Sequence, residues 1–183
     1  MSKKRVRVEL RVGEESELSK AVVVRDRNAL ICTRPVMFHF FADDFLKAAE
    51  GSQMTGDFAP VPCFLYCKSI ELSLKSFLLA KNVDGTKVRR NIGHNLERAL
   101  EEAESQGLYD IVEIPCEYKE ELRKANYYYK DKAFEYLDSY EVMMKRVDLP
   151  SNSVLSKLAS MLVAELGRVC FEAVHTLAEK SGE

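Results

Sequence analysis

From Pro35 onward the apolar residues recur at steps of three and four, the spacing of helices that bury one face. Val36 to Glu50 carries Phe38, Phe41, Phe45 and Ala48/Ala49 at such steps and stops at Gly51, a residue that readily ends a helix. A polar connection, 51–59, leads to Pro60 and Pro62, which stand where a first helical turn tolerates proline. The helix they open, about 60–81, is the most apolar of the chain. Cys63, Cys67, Ile70, Leu74 and Phe77 make one stripe and Leu65, Leu72 and Leu79 another, so this helix belongs at the centre of a bundle. Its remaining polar stripe is Lys68, Glu71 and Lys75, which share a face at three- and four-residue spacing.

The pattern predicts a turn-rich basic loop over 82–93 and a third helix from about His94 to Gln106, with Leu96 and Leu100 inward and Gly107 as its stop. After Ile114-Pro115 comes a long helical stretch, about 116–146. It breaks near Asp131, because Tyr127-Tyr128-Tyr129-Lys130-Asp131 suits no single clean face. Pro150 separates it from a last helix that Ser151 or Ser153 would cap, with Leu155, Ala159, Leu162, Leu166, Val169, Ala173 and Leu177 inward. Ahead of all this, Val6, Val8, Leu10 and Val12 alternate with charged residues, and Ala21-Val22-Val23-Val24 makes a second extended run. The whole predicts an all-α, antiparallel bundle of five or six helices over 36–183, preceded over 1–35 by a basic arm that is β-like or disordered.

Composition narrows the class. With 46% hydrophobic and 31% charged residues the chain is an ordinary folded protein, and its net charge of −2 demands neither nucleic acid nor membrane as a partner. The charge is uneven, however: residues 1–36 carry +4 and the rest −6. Within that acidic remainder Lys81, Lys87, Arg89 and Arg90, set against Asp84, put +3 into ten residues. No apolar run approaches the roughly 20 residues of a membrane span, and the start lacks the apolar core of a secretory signal. Five cysteines, most in apolar surroundings, read as buried reduced thiols, so the expected location is the cytoplasm. Cys63 and Cys67, four apart, would hold a metal only if other ligands converged on them. No Gly-rich phosphate loop, Ser-His-Asp pattern or set of metal-spaced carboxylates occurs, and no cofactor is expected.

Two segments carry a resemblance. Cys67-Lys-Ser-Ile-Glu71-Leu-Ser-Leu-Lys75-Ser-Phe-Leu-Leu-Ala80, followed by Gly93-His94-Asn95-Leu96-Glu-Arg-Ala-Leu100, resembles the HEPN family of nucleotide-binding helical domains. There a buried helix carries a Glu-x-x-x-Lys-like pattern, and a Gly-His-Asp-Leu-like tetrapeptide opens the next helix. About 40 residues match, and the tyrosine cluster and last helix follow in order. The resemblance implies a defence or regulatory protein that binds RNA or nucleotide. It also implies a homodimer with an active site assembled across the two-fold, and an antitoxin-like or nucleotidyltransferase-like partner. Family nucleases act without metal through an Arg-x4-6-His motif, in which His moves the proton and Arg stabilises the phosphorane.

Two pairs have that spacing. Arg89 and His94 straddle a loop and a helix start and lack the asparagine that often follows the arginine. Arg168 and His175 share a helix face with Glu165, Glu172 and Glu179, acids that would repel a phosphate. The expectation is therefore weak or no ribonuclease activity, with Lys68, Glu71, Lys75, Lys87, Arg90, Asn95 and Tyr128 as candidate RNA or nucleotide contacts. A plainer reading stands beside each. Glu71 and Lys75 form an intrahelical pair, His94 caps the third helix and packs on the second, and the tyrosines grip neighbouring helices. On that reading the chain is a non-catalytic interaction module. His39, among Phe38, Phe40 and Phe41, reads as packing.

Overall fold

A computed structural model of the 183-residue chain describes residues 23–26, 29–32, 35–52, 59–136 and 149–180. Strand β1 (Val23–Asp26) pairs antiparallel with β2 (Ala29–Cys32), Val23 opposite Cys32 and Asp26 opposite Ala29. The extended run near Val24 thus pairs with the segment after it. The alternating run Val6–Val12 lies outside the described residues.

The rest is helical. Helix α1 spans Pro35–Glu50 and α2 Pro60–Ala80. A short α3 (Gly85–Lys87) runs straight into one π-helical turn, Val88–Ile92, so most of the expected basic loop is wound into helix. Asp84 starts it by accepting the Lys87 amide at 3.2 Å. Helix α4 (Leu96–Ser105) and a 3-10 turn (Leu108–Asp110) lead to α5 (Cys116–Tyr129). The expected break near Asp131 is present: Lys132 takes a positive φ of 60° before the short α6 (Ala133–Tyr136). Residues 137–148, the end of the predicted long helix, lie outside the described part. Helix α7 is Asn152–Lys180, and its first turn closes on the Ser151 carbonyl.

Helix α2 is the axis of the bundle, with Ser69 to Phe77 and Leu78 all buried, and α1, α4, α5 and α7 pack around it. The two apolar stripes explain this, and three buried serines on the remaining side explain the close approach of its neighbours. Ser69 Oγ donates to the Ala42 carbonyl of α1 at 2.8 Å, and Ser76 Oγ meets Cys170 Sγ of α7 at 3.4 Å. Cys63 and Cys67 are buried free thiols, and burial first, then the neighbouring Cys63 and Glu71, push the Cys67 thiol well above its ordinary value.

Two expectations change here. The buried face of α1 is Val36, His39, Ala42, Leu46 and Ala49, whereas Phe41 and Ala48 face out. Ala42 meets Ser69 of α2 through its carbonyl, and His39 packs over Gly167 of α7, so the packed face of α1 is set by contacts with both helices. The bundle is also not antiparallel throughout. Asn152 Nδ2 bonds the Ala59 carbonyl at one end of α2 and Cys170 meets Ser76 toward the other, so α7 runs parallel to α2. The α3–α6 excursion returns the chain to the end from which α2 began.

Candidate functional site

The polar stripe of α2 does not face open solvent. Glu71 is 1% exposed, and its carboxylate gathers four donors. Oε1 accepts Lys75 Nζ at 2.7 Å and Lys68 Nζ at 3.2 Å; Oε2 accepts the Tyr129 hydroxyl at 2.5 Å and faces His94 Nδ1 at 3.0 Å. Burial by itself raises the Glu71 pKa. The charges of Lys75 and Lys68, with the hydrogen bonds from Lys75 and Tyr129, outweigh it and hold the carboxyl down at about 2. Glu71 is therefore ionised and acceptor-only, so Nδ1 of His94 must carry the proton of that contact. The His94 side chain is 51% exposed, and its Nε2 is left without a bond among the described residues.

The turn before α4 delivers His94 to this place. Gly93 has φ 56° and ψ −124°, a backbone conformation that a side chain would strain, so the glycine of Gly-His-Asn-Leu is a geometric requirement. Asn95 then caps α4, its Oδ1 accepting the Arg98 amide at 3.0 Å. Asn126 of α5 completes the cap by accepting the Leu96 amide at 2.8 Å, and donates to Asn95 Oδ1 at 3.2 Å and Glu97 Oε2 at 2.6 Å. Two of the first three amides of α4 are thus spent within the fold and are not free for an anion.

Of the residues singled out from sequence, Lys68, Glu71, Lys75 and His94 come together, with Asn95 directly beside them. Arg89 and Arg90 lie exposed on the π-helical turn just ahead of His94. Lys87 turns instead to Glu102 of α4 at 2.8 Å and borders a separate open groove of about 320 Å³ with Arg98, Glu101 and Glu102. Arg168 is an exposed residue of α7, 3.8 Å from Glu172, and the side chain of His175 lies outside the described part. Tyr128 is turned inward against Tyr127 and Phe134, with ring centroids 5.1 Å and 5.7 Å away. The tyrosine that reaches the cluster is Tyr129, and its ring also stands edge-on to His94 at 6.4 Å. Asn126 is the second residue that pattern reasoning passes over: a lone amide in a polar stretch of α5 carries no local sign that it caps another helix.

Among the described residues no three metal-ligating side chains converge, and no helix is long and apolar enough to cross a membrane. Set against family models, curated proteins and solved structures, the chain matches none.

Proposed function

We propose that the chain is a HEPN-like helical domain of a defence or regulatory system that binds RNA or nucleotide through phosphate, with weak or no metal-independent ribonuclease activity. One observation carries the reading: the charges around Glu71 do not balance. Two ammonium groups share one carboxylate, and neither has another carboxylate within 4.0 Å among the described residues. Both carboxylate oxygens already hold two donors each, so the site keeps a net charge of +1, which an external anion neutralises. Lys68, 22% exposed, and the outward ring of His94 face that anion from the rim, and Arg89 and Arg90 precede it on the exposed turn. An imidazole oriented by a carboxylate is the arrangement a proton-transfer group needs, which is why Arg89 and His94 fit a residual nuclease role better than Arg168 and His175, among their acids. The protein acts in the cytoplasm.

The test is metal-free incubation and binding with labelled RNA and mononucleotide. Affinity falls as salt rises, because each phosphate contact releases counterions. Lys68→Ala and Arg89→Glu/Arg90→Glu weaken binding at least fivefold, and Arg168→Ala leaves it unchanged. Salt-insensitive behaviour, or full binding by the charge-reversed double variant, overturns the reading.

A second reading rests on a different surface. Phe40, Phe41 and Phe171 are 45%, 52% and 43% exposed, and Phe40 meets Phe171 edge-on at 5.9 Å across α1 and α7. Such a patch favours an interaction module that forms a homodimer or takes an antitoxin-like or nucleotidyltransferase-like partner. Sedimentation at tens of micromolar decides the homodimer: a strictly monomeric species of 20.9 kDa removes it.

A further inference from the structure

Asn126 and Tyr129 stand three residues apart on α5 and so share one face. From it each reaches a different half of the Glu71–His94 couple. Tyr129 donates to Oε2 of Glu71, the same oxygen that takes His94 Nδ1, and lays its ring edge against the imidazole. Asn126, 1% exposed, bonds the Leu96 amide and the side chains of Asn95 and Glu97, which directly follow His94 in the chain. One residue fixes the acceptor and the other fixes the backbone that carries the ring. Helix α5 is itself tied down by two further contacts: Arg123 meets Glu97, the carboxylate that Asn126 also holds, at 3.2 Å, and Glu121 accepts the Ser151 amide at 2.7 Å.

We propose that Asn126 and Tyr129 are positioning residues that together lock His94 with Nδ1 protonated toward Glu71 and Nε2 turned outward. The lock is needed because the competition is unequal. A neutral imidazole in water favours the tautomer with its proton on Nε2. Glu71 also has two ammonium donors, which attract a carboxylate more strongly than a neutral ring N–H does. Without the Tyr129 hydroxyl on Oε2, the carboxylate is free to turn both oxygens to Lys68 and Lys75 and to abandon the ring. Without Asn126 the turn at Gly93–Asn95 loses its anchor on α5, and the ring leaves the carboxylate. The inference rests on the phosphate-binding reading only for what the outward nitrogen serves; the lock itself is read without any ligand.

The experiment is nitrogen-resolved NMR of the full chain with ¹⁵N-labelled histidine rings, at a pH where the rings are neutral, with His94→Gln assigning the His94 signals. In the wild type Nδ1 of His94 carries the proton and Nε2 shows the shift of a bare ring nitrogen. Tyr129→Phe and Asn126→Ala each move His94 toward the solution tautomer, with Nε2 protonated in the majority. Leu158→Ala, a core truncation on α7, lowers thermal stability and leaves the tautomer as in the wild type. If Asn126→Ala does not fold, Asn126→Asp keeps the acceptor for the Leu96 amide, loses both donors and shifts the tautomer in the same direction. A folded Tyr129→Phe or Asn126 variant with the wild-type tautomer overturns the proposal, as does an equal shift in Leu158→Ala. RNA binding is scored on the same samples. A wild type that binds no RNA yet shows the expected tautomer pattern overturns the functional reading and supports the positioning roles.

Discussion

The imidazole of His39 on α1 lies directly over the bare α-carbon of Gly167 on α7: a β-carbon there would stand 2.9 Å from Nε2 and 3.0 Å from Cε1. His39 is buried, and the rings of Phe40 and Phe171, with centroids 6.4 Å and 6.2 Å from its own, limit its retreat. Gly167→Ala should therefore destabilise the fold by about 1–3 kcal/mol, the cost of overfilling a packed contact. In a His39→Ala background the same substitution meets no ring. There the helix preference for alanine over glycine, about 1 kcal/mol, governs and the sign reverses. Urea titrations of the four proteins in the cycle check it; an equal cost in both backgrounds would show that the ring is not the obstacle.

The same histidine sets an upper pH window. Burial lowers its pKa below the ordinary 6.5, and the Asp43 charge raises it only in part. The unfolded chain then takes up the proton first, so the fold loses stability as pH drops below about 6.5. A His39→Leu variant should show no such decline between pH 7 and 5 in chemical denaturation, whatever its absolute stability. A decline of wild-type size in that variant would assign the loss to other groups.

Glu71 sets a lower one. Its folded pKa, about 2, lies below the value of 4.5 for a free carboxyl, so its contribution is complete above pH 4.5 and is lost as pH falls through 2. A difference of that size corresponds to about 3 kcal/mol. Lys75→Met leaves the carboxylate buried with fewer partners, and should cost about 3 kcal/mol at pH 7 and progressively less toward pH 2, as Glu71 gains its proton. Stability curves of the two proteins that run parallel down to pH 2 would contradict this account of the cluster.

Leu74, fully buried on α2, tests which helix holds the bundle together. Leu74→Asp places an unpaired carboxylate in the core at a cost of several kcal/mol, comparable to the whole stability of a domain this size. The expected result is an insoluble or unfolded product by circular dichroism and size-exclusion. A soluble variant with a cooperative thermal transition would mean that α2 is not the axis.

The stripes of α2 were legible because helical periodicity is local: residues three and four apart meet whatever surrounds them. The Lys68, Glu71 and Lys75 face was legible for the same reason. The burial of that face was not, since it depends on α4 and α5 folding back over it. The meeting of Glu71 with His94, 23 residues on, was suggested only by the paired motifs. Periodicity could not separate Tyr128 from Tyr129, because one residue turns a helix by about 100° and the register of α5 against α2 is a tertiary matter. On α1 the spacing of Phe38, Phe41 and Phe45 is as helical as that of Val36, His39, Ala42, Leu46 and Ala49, and only the packing of α2 and α7 selects the second set as the buried face. The polarity of α7 lay beyond any local signal, because it depends on how many times the chain crosses between α2 and α7.

Gly93 joins backbone strain to the site most directly. At φ 56° and ψ −124° it occupies a region that residues with a β-carbon enter only at a cost of about 1–3 kcal/mol. Space is not the issue, since the nearest atom to an added β-carbon is the Arg89 carbonyl oxygen at 4.0 Å. Gly93→Ala should therefore fold, with a stability loss in that range, and relieve its strain by letting the turn relax. The relaxation moves His94, the next residue, away from Glu71, so the RNA or nucleotide binding proposed for this site should fall more than stability alone accounts for. A D-alanine at position 93, introduced by chemical ligation, accepts the positive φ and should restore both properties. Binding and stability that recover together with D-alanine and fall together with L-alanine would tie the site to this one torsion. An L-alanine variant with wild-type binding would separate them.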